Sequence, residues 1–420
     1  MATSAELSPM SLTHPYVIDI LANMNNENHR SDPLSIACFI SPHGFGHAAR
    51  ASATIEAVGT RLAQCHFEIF TTVPSWFFAD SLSVPFSWHS VTTDIGLVQE
   101  NAFTEDIEKT LENLNTFLPF NPALVADLAE QIYHKQCRLI LCDIAPLGIA
   151  VGLKSGVPSV LVENFTWDRI YAGYPSVPGM MAHHITYLRR IFDKADHHIQ
   201  TEPVCFRDPA DLTVGPVSRG FRTTAPEIRR QLGIPDAKKV VLITTGGIPA
   251  RHGFLDQLKQ FADATFILPG SSRSPELYDN LVLLPHRSVF FHPDLVNASD
   301  AVVGKVGYST IAEVYAAGVP FGHAARCPYP ESPGLVDFIS RHMSGIALSE
   351  ADFGSGRWLA ILPKLLELLR QPREVSNGSE QIANYICKVL ENRNITRKTT
   401  PETGRRSRHR GEKFENRLDQ

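Results

Sequence analysis

From residue 35 onward, short apolar, β-branched runs alternate with longer stretches whose apolar positions recur every three or four residues. Residues 35–41 (SIACFIS) predict a buried strand. Residues 47–63 predict a helix, with Ala51, Ile55 and Val58 on one face. A strand over 66–72, a helix over 123–134, a strand over 138–142, a helix over 147–155 and a strand over 157–162 continue the alternation, with Gly156 as the helix stop. Gly and Pro then cluster in Val214-Gly-Pro-Val-Ser-Arg-Gly-Phe221, which suits a linker. The alternation restarts with a strand over 239–245, a helix over 252–261, strands over 265–268, 281–284 and 300–304, and a helix over 308–317. Further helices are expected between 332 and 391. Strand–helix–strand order of this kind implies parallel sheets with helices on both faces. The expected fold class is therefore α/β: two Rossmann-like, doubly wound units in series. The expected layout is a disordered polar segment over 1–33, a first unit over 34–215, a linker over 216–225, a second unit over 226–392 and a disordered basic tail over 393–420.

Composition changes this picture little. A chain of 420 residues with 43% hydrophobic and 20% charged residues is ordinary for two globular domains. The net charge of −5 gives no general attraction to nucleic acid, and no nucleic-acid partner is expected. Charge is uneven, however: residues 393–420 carry nine Lys/Arg against four Asp/Glu, so this segment could make weak contact with a membrane surface. The seven cysteines show no Cys-x-x-Cys spacing, and several lie in apolar runs, which fits buried free thiols and a cytoplasmic location. No secretory leader and no membrane-length apolar run are read from the sequence.

Two segments carry the chemistry. Pro42-His-Gly-Phe-Gly-His-Ala-Ala-Arg50 joins a strand to a helix. Gly44 and Gly46 let the backbone turn and approach a ligand, and the helix start supplies N–H donors at the sheet's carboxyl edge. The spacing also meets a relaxed dinucleotide fingerprint, but the next strand ends Phe70-Thr71-Thr72, without the acidic residue that would hold a ribose. His47 is the candidate general base, oriented by Asp143 at the tip of a neighbouring strand, with His43 in reserve. The alternative for Asp143 is a helix cap before Pro146. In the second segment, Gly304-Lys-Val-Gly-Tyr-Ser-Thr-Ile-Ala-Glu313, a strand end meets a helix start. Gly307, Ser309 and Thr310, with Thr245, Gly246 and Gly247, form a candidate diphosphate cradle. Glu313 is placed to hold a ribose diol, Arg251 adds positive charge, and residues 286–291, beginning with His286, could stack the base. The alternative for Glu313 is a Thr310-x-x-Glu313 capping box. Asn164-Phe-Thr-Trp-Asp168 follows a strand, so Asn164 and Trp167, with Gly44 and Gly46, are candidate acceptor contacts; an aromatic lid over the core is the other reading. His183-His184 and His197-His198 invite a zinc reading, but adjacent histidines on a helix diverge, and no metal is expected.

The second segment, with Ala316-Ala-Gly-Val-Pro320, resembles the donor site of GT-B glycosyltransferases, including the bacterial peptidoglycan GlcNAc transferase. Gly46-His47 is similar to the Gly-His of that enzyme and of plant UDP-glycosyltransferases, in which this His is the base and an Asp orients it. Cys142-Asp143 matches that Asp. His43-Gly-Phe-Gly-His-Ala-x-Arg50, Cys142-Asp-Ile-Ala-Pro146 and Asn164-Phe-Thr-Trp-Asp168 resemble the glycosyltransferase-like N-terminal region of plant L-arabinokinase-type proteins. The resemblance implies a GT-B fold, in which the two units face a central cleft, and metal-independent, inverting transfer from a nucleotide-sugar, UDP-linked, to a small-molecule or lipid acceptor. The nucleotide-sugar is a co-substrate, and no cofactor is expected. A nucleotide-sugar 2-epimerase and a non-catalytic nucleotide-sugar-binding module stay open. No Gly-Leu-Ser-Ser-Ser-Ala phosphate loop occurs, so sugar-kinase activity is not expected, and no Asp-x-Asp points to a metal-dependent site.

Overall fold

A computed structural model describes residues 34–62, 64–174, 178–246, 253–371, 373 and 375–398. The first unit holds a parallel sheet of β1 (Ser35–Ile40), β2 (His66–Phe70), β3 (Phe86–His89), β4 (Cys137–Asp143), β5 (Ser159–Glu163), β6 (His197–Thr201) and β7 (Leu212–Val214). Its spatial order is β3-β2-β1-β4-β5-β6-β7. The second holds β8 (Lys239–Thr244), β9 (Ala264–Ser272), β10 (Glu276–Tyr278), β11 (Leu281–Pro285), β12 (Ala301–Lys305), β13 (Phe321–Ala324) and β14 (Gly345–Leu348). Its order is β10-β11-β9-β8-β12-β13-β14, parallel except where β10 runs against β11.

The central strands are apolar through their middles because both faces are covered. In β1, Ile36, Cys38 and Ile40 face one buried cluster, while Ala37 and Phe39 face the other. In β8, Val240 and Leu242 separate from Val241 and Ile243 in the same way. This is the doubly wound arrangement the sequence pattern predicts. The pattern misses β3, β6, β7, β10, β13 and β14; of these, β3 and β6 read FSWH and HHIQT. They lie away from the sheet centre, are partly exposed, and carry no apolar run.

Helix α1 (Phe45–Arg61) follows β1 and starts two residues before the predicted 47, because Gly44, at φ 76°, makes the turn. Helix α2 (Pro146–Ser155) begins with Pro in its first turn and ends at left-handed Gly156. It lies close on the sheet: a Cβ at Gly148 would fall 2.7 Å from both Cys142 Sγ and Phe39 Cβ. Helix α3 (Tyr308–Ala317) matches the predicted bounds and ends at left-handed Gly318. Of the predicted helix 252–261, Leu255–Leu258 is helical among the described residues.

The closing helix α4 (Gly378–Lys398) departs from the expectation that the last helices complete the second unit. It returns to the first, where Ile382, Ala383, Ile386 and Leu390 join Ile36, Cys38, Ile55 and Val58 in one cluster. All seven cysteines are free, four of them buried. Among the described residues, no helix is long and apolar enough to cross a membrane.

Candidate active site

The carboxyl ends of the two central sheets face each other. The two helix starts meet across the cleft: a Cβ at Gly46 would lie 3.5 Å from Ser309 Oγ. The first lip is built by β1, α1 and β4. His47 sits in the first turn of α1, and Asp143 closes β4. Their side chains meet with Nδ1 and Oδ1 3.0 Å apart. A carboxylate only accepts, so His47 Nδ1 carries the proton, and the Nε2 lone pair is left available. The helix-cap alternative for Asp143 does not form: Ala145 is the N-cap of α2 and no side chain caps it.

Arg50, one turn after His47, is buried with Asp143. Its Nε donates to Oδ2 at 2.8 Å and its Nη2 to Oδ1 at 2.7 Å. Nη1 donates to Asn164 Oδ1 at 2.6 Å, and the guanidinium lies 4.7 Å from the Tyr308 ring centroid of the second unit. Burial pushes the Asp143 carboxyl up, but the Arg50 charge, its hydrogen bonds and that from His47 bring it below the ordinary carboxylate value. Asp143 is therefore a fixed anion with two partners.

The second lip is formed by the ends of β8 and β12 and the start of α3. A cavity of about 340 Å³ opens here, within the range of small-ligand sites. Thr245, Gly246, Ser309, Thr310 and Glu313 line one side, and His286, Phe290 and Phe291 another. The first unit contributes Phe45 and Ala49 of α1, with Trp76 and Phe77. Phe45 stacks on Phe77 and lies 5.1 Å, centroid to centroid, from His286 across the cleft.

Glu313 does not close a capping box. Gly307 is the N-cap of α3, without a side-chain cap bond. Instead Arg219 Nη2 donates to Oε1 at 2.9 Å, and His292 Nδ1 lies 2.7 Å from Oε2. Burial raises this carboxyl, but Arg219 and His292 bring it down to about 2. Oε1 also accepts from Arg219 Nε at 3.3 Å, so the lone-pair capacity left for a further donor is on Oε2.

The predicted residues thus fall on two lips of one cleft. His43 is half-buried; its Nδ1 accepts from Leu97 N–H at 3.3 Å, and its ring stands edge-on to Trp167. Burial, then His47, Arg326 and Lys305, hold it well below the ordinary histidine value. Asn164 and Trp167 are buried behind His47. Asn164 bridges Arg50 to Glu331 of the second unit, and Trp167 packs on Phe165 and Tyr171. Gly247 and Arg251 lie outside the described residues. The paired histidines have other partners: His184 meets Asn115, His197 meets Tyr385, and His198 meets Glu163. Sequence reasoning did not single out Arg50, Arg219 or His292. Arg50 had a usable signal, since it lies three residues from His47 on the same helix face. Arg219 sits in a linker and had none.

No family model matches the chain. The L-arabinokinase of Arabidopsis thaliana is 28% identical over 369 residues, 85% of this chain and 34% of that protein. The UDP-N-acetylglucosamine–N-acetylmuramyl-(pentapeptide) pyrophosphoryl-undecaprenol N-acetylglucosamine transferase of Bacillus licheniformis is 27% identical over 193 residues, 40% of this chain and 46% of that one. The chain thus spans well under two thirds of the length of both relatives. Among solved structures, a UDP-glucosyltransferase from Polygonum tinctorium superposes with a TM-score of 0.58 at 14% identity, covering 86% of this chain and 99% of that one. With two facing Rossmann-like units and a cavity at their seam, the chain has the GT-B glycosyltransferase fold.

Proposed function

We propose that the protein is a metal-independent, inverting glycosyltransferase that moves a sugar from a nucleotide-sugar, UDP-linked, to an acceptor hydroxyl. The observation that carries this reading is the His47–Asp143 pair, 3.0 Å apart, set on the lip opposite a helix-start cavity. Similarity to a protein named as an N-acetylglucosamine transferase, and the fold shared with a UDP-glucosyltransferase, agree with it.

Thr245, Gly246, Gly307, Ser309 and Thr310 surround the diphosphate with hydroxyls, amide donors and the positive end of α3. Glu313, already oriented by Arg219 and His292, accepts from the ribose hydroxyls. His286 and Phe290 flank the base. His47 Nε2 takes the proton from the acceptor hydroxyl as that oxygen attacks the anomeric carbon, and Asp143 stabilises the imidazolium that forms. The bond to the diphosphate breaks on the far side, and its charge is met by the α3 donors. His43 is the second candidate base. Gly44 and Gly46 allow the acceptor to approach, while Asn164 and Trp167 support that wall from behind.

The test combines binding and turnover. UDP at a hundredfold excess over its dissociation constant should stabilise the chain by roughly 2.7 kcal/mol in a thermal melt. His47→Ala should keep that shift and lose transfer from UDP-sugars. If no nucleotide moves the melt, the assignment of the cavity fails.

A further inference from the structure

A second cavity, of about 630 Å³, lies between the far half of α1, the inter-unit linker and the start of α4. It too is within the range of small-ligand sites. On α1, Phe45 and Ala49 line the nucleotide cavity, while Ser52, Glu56 and Thr60 line the second. These positions follow one another at three or four residues, so a single face of the helix runs past both cavities, and His47 lies off it. The cavities share one wall, since Ser81, Arg219, Arg222 and Phe291 line both. Arg219 stands in that wall with its guanidinium 5.0 Å from the Phe77 ring centroid and 4.8 Å from that of Phe291. It is fixed there by Glu313 at 2.9 Å and Ser81 at 3.1 Å. An occupant of the second cavity is therefore walled off from the nucleotide and stands farther along α1 than His47.

The charged side chains of this cavity are already engaged. Arg61 pairs with Glu380 and donates to Asn384 Oδ1 at 2.9 Å. Glu56 accepts from the Ser83 N–H at 2.9 Å, and Arg222 donates to the Asp80 and Ser81 carbonyls at 2.6 and 2.8 Å. A charged ligand would compete with these partners, whereas an uncharged one leaves them in place. What remains is a set of hydroxyls, from Thr60, Ser218 and Ser379, and the Phe221 ring, 40% exposed. Each hydroxyl can donate once and accept twice. Ser52, on the inner wall, is fully buried, and among the described residues its hydroxyl has no partner. A buried polar group of that kind is costly, and a ligand oxygen at the inner wall removes the cost. An aromatic ring beside several hydroxyls matches the chemistry of a sugar, whose C–H face packs on the ring while its hydroxyls donate and accept. We propose that the second cavity holds an uncharged saccharide unit, at a site separate from the nucleotide cavity and from His47. The site does not rest on the nucleotide reading above.

The test is saturation-transfer NMR on the full chain, with glucose, galactose, xylose and maltotetraose as probes and glucuronate and glucose 6-phosphate as charged counterparts. Two variants act on the cavity alone. A Cβ at Gly220 meets nothing within 4 Å, so Gly220→Trp fills the space without strain, and Phe221→Ala removes the ring. Neither residue lines the nucleotide cavity. At least one neutral sugar should bind the UDP-saturated wild type more tightly than either charged counterpart. Gly220→Trp should abolish that binding, Phe221→Ala should weaken it about tenfold, and Phe221→Trp should keep it. UDP should bind all three variants within about twofold of the wild type. Maltotetraose about tenfold tighter than glucose marks the far subsite of a glycan acceptor, and equal affinities mark a site for a free sugar; both keep the proposal. It is overturned if no neutral sugar binds the wild type, if a charged counterpart binds more tightly, or if Gly220→Trp keeps the binding, which would place the sugar at the His47 lip. It is also overturned if Gly220→Trp weakens UDP about tenfold, because the cavities would then be one. Should UDP itself fail to bind the wild type, the nucleotide reading falls, and the same sugar titrations without UDP decide the second cavity independently.

Discussion

Asp143 is held by two partners of different kinds. His47 reaches it through one hydrogen bond, while Arg50 grips both of its oxygens at 2.7 and 2.8 Å, all within a buried pocket. Breaking a buried ion pair from one side leaves the other charge stranded. Arg50→Met should therefore cost about 3–5 kcal/mol in a urea titration, and adding Asp143→Asn should recover part of the loss. If the double variant is less stable than Arg50→Met, Asp143 is held by something other than Arg50. The pair His47 and Asp143 was legible in the sequence because each stands where a parallel strand ends, and such ends converge on a crevice. Arg50 was less legible. An arginine inside a helix usually faces water, and only its distance from His47 along one face betrays its burial.

At the scale of elements, α3, the helix His292–Ala298 and the inter-unit linker meet at one carboxylate. Glu313 comes from the first, His292 from the second and Arg219 from the third. The strand–helix alternation gave the bounds of α3 correctly, and it located Glu313. It did not give the partners, since a linker's path is set by packing between units and not by its own periodicity. The Thr-x-x-Glu spacing suggested a local cap, but the tertiary partners outcompete it. This junction makes stability depend on pH in a defined sense. The folded Glu313 titrates at about 2, below its ordinary value of 4.5, so its contribution is complete above the unfolded value and is lost as pH falls through the folded one. Glu313→Gln should be less stable than the wild type at pH 7 by about 3 kcal/mol. That gap should close as pH drops from about 4.5 toward about 2. A gap that stays constant over that window, measured by denaturant titration at several pH values, would mean that the carboxylate's charge plays no part.

The whole molecule is tied together more tightly than two units in series. The chain crosses between them once through the linker and again before α4, which returns to cover α1 with Ile382, Ala383, Ile386 and Leu390. Polar contacts span the seam as well: Arg219 reaches Ser81 at 3.1 Å, Arg326 reaches Glu105 at 2.7 Å, and Asn164 reaches Glu331 at 3.0 Å. Arg222 adds two backbone acceptors at the end of the helix Ser75–Ser81. A carboxylate placed at Ile386 would enter the cluster that supports α1 from behind, and α1 carries both His47 and Arg50. Ile386→Asp should cost several kcal/mol, about 3–5, as a charge forced into an apolar site. Because the second unit leans on the same seam, that loss should not stay in the first unit. Scanning calorimetry should show one transition in the wild type and one in Ile386→Asp, shifted to lower temperature as a whole. Two peaks with only the lower one moved would show that the units melt independently, and that the seam aligns the cleft without stabilising it.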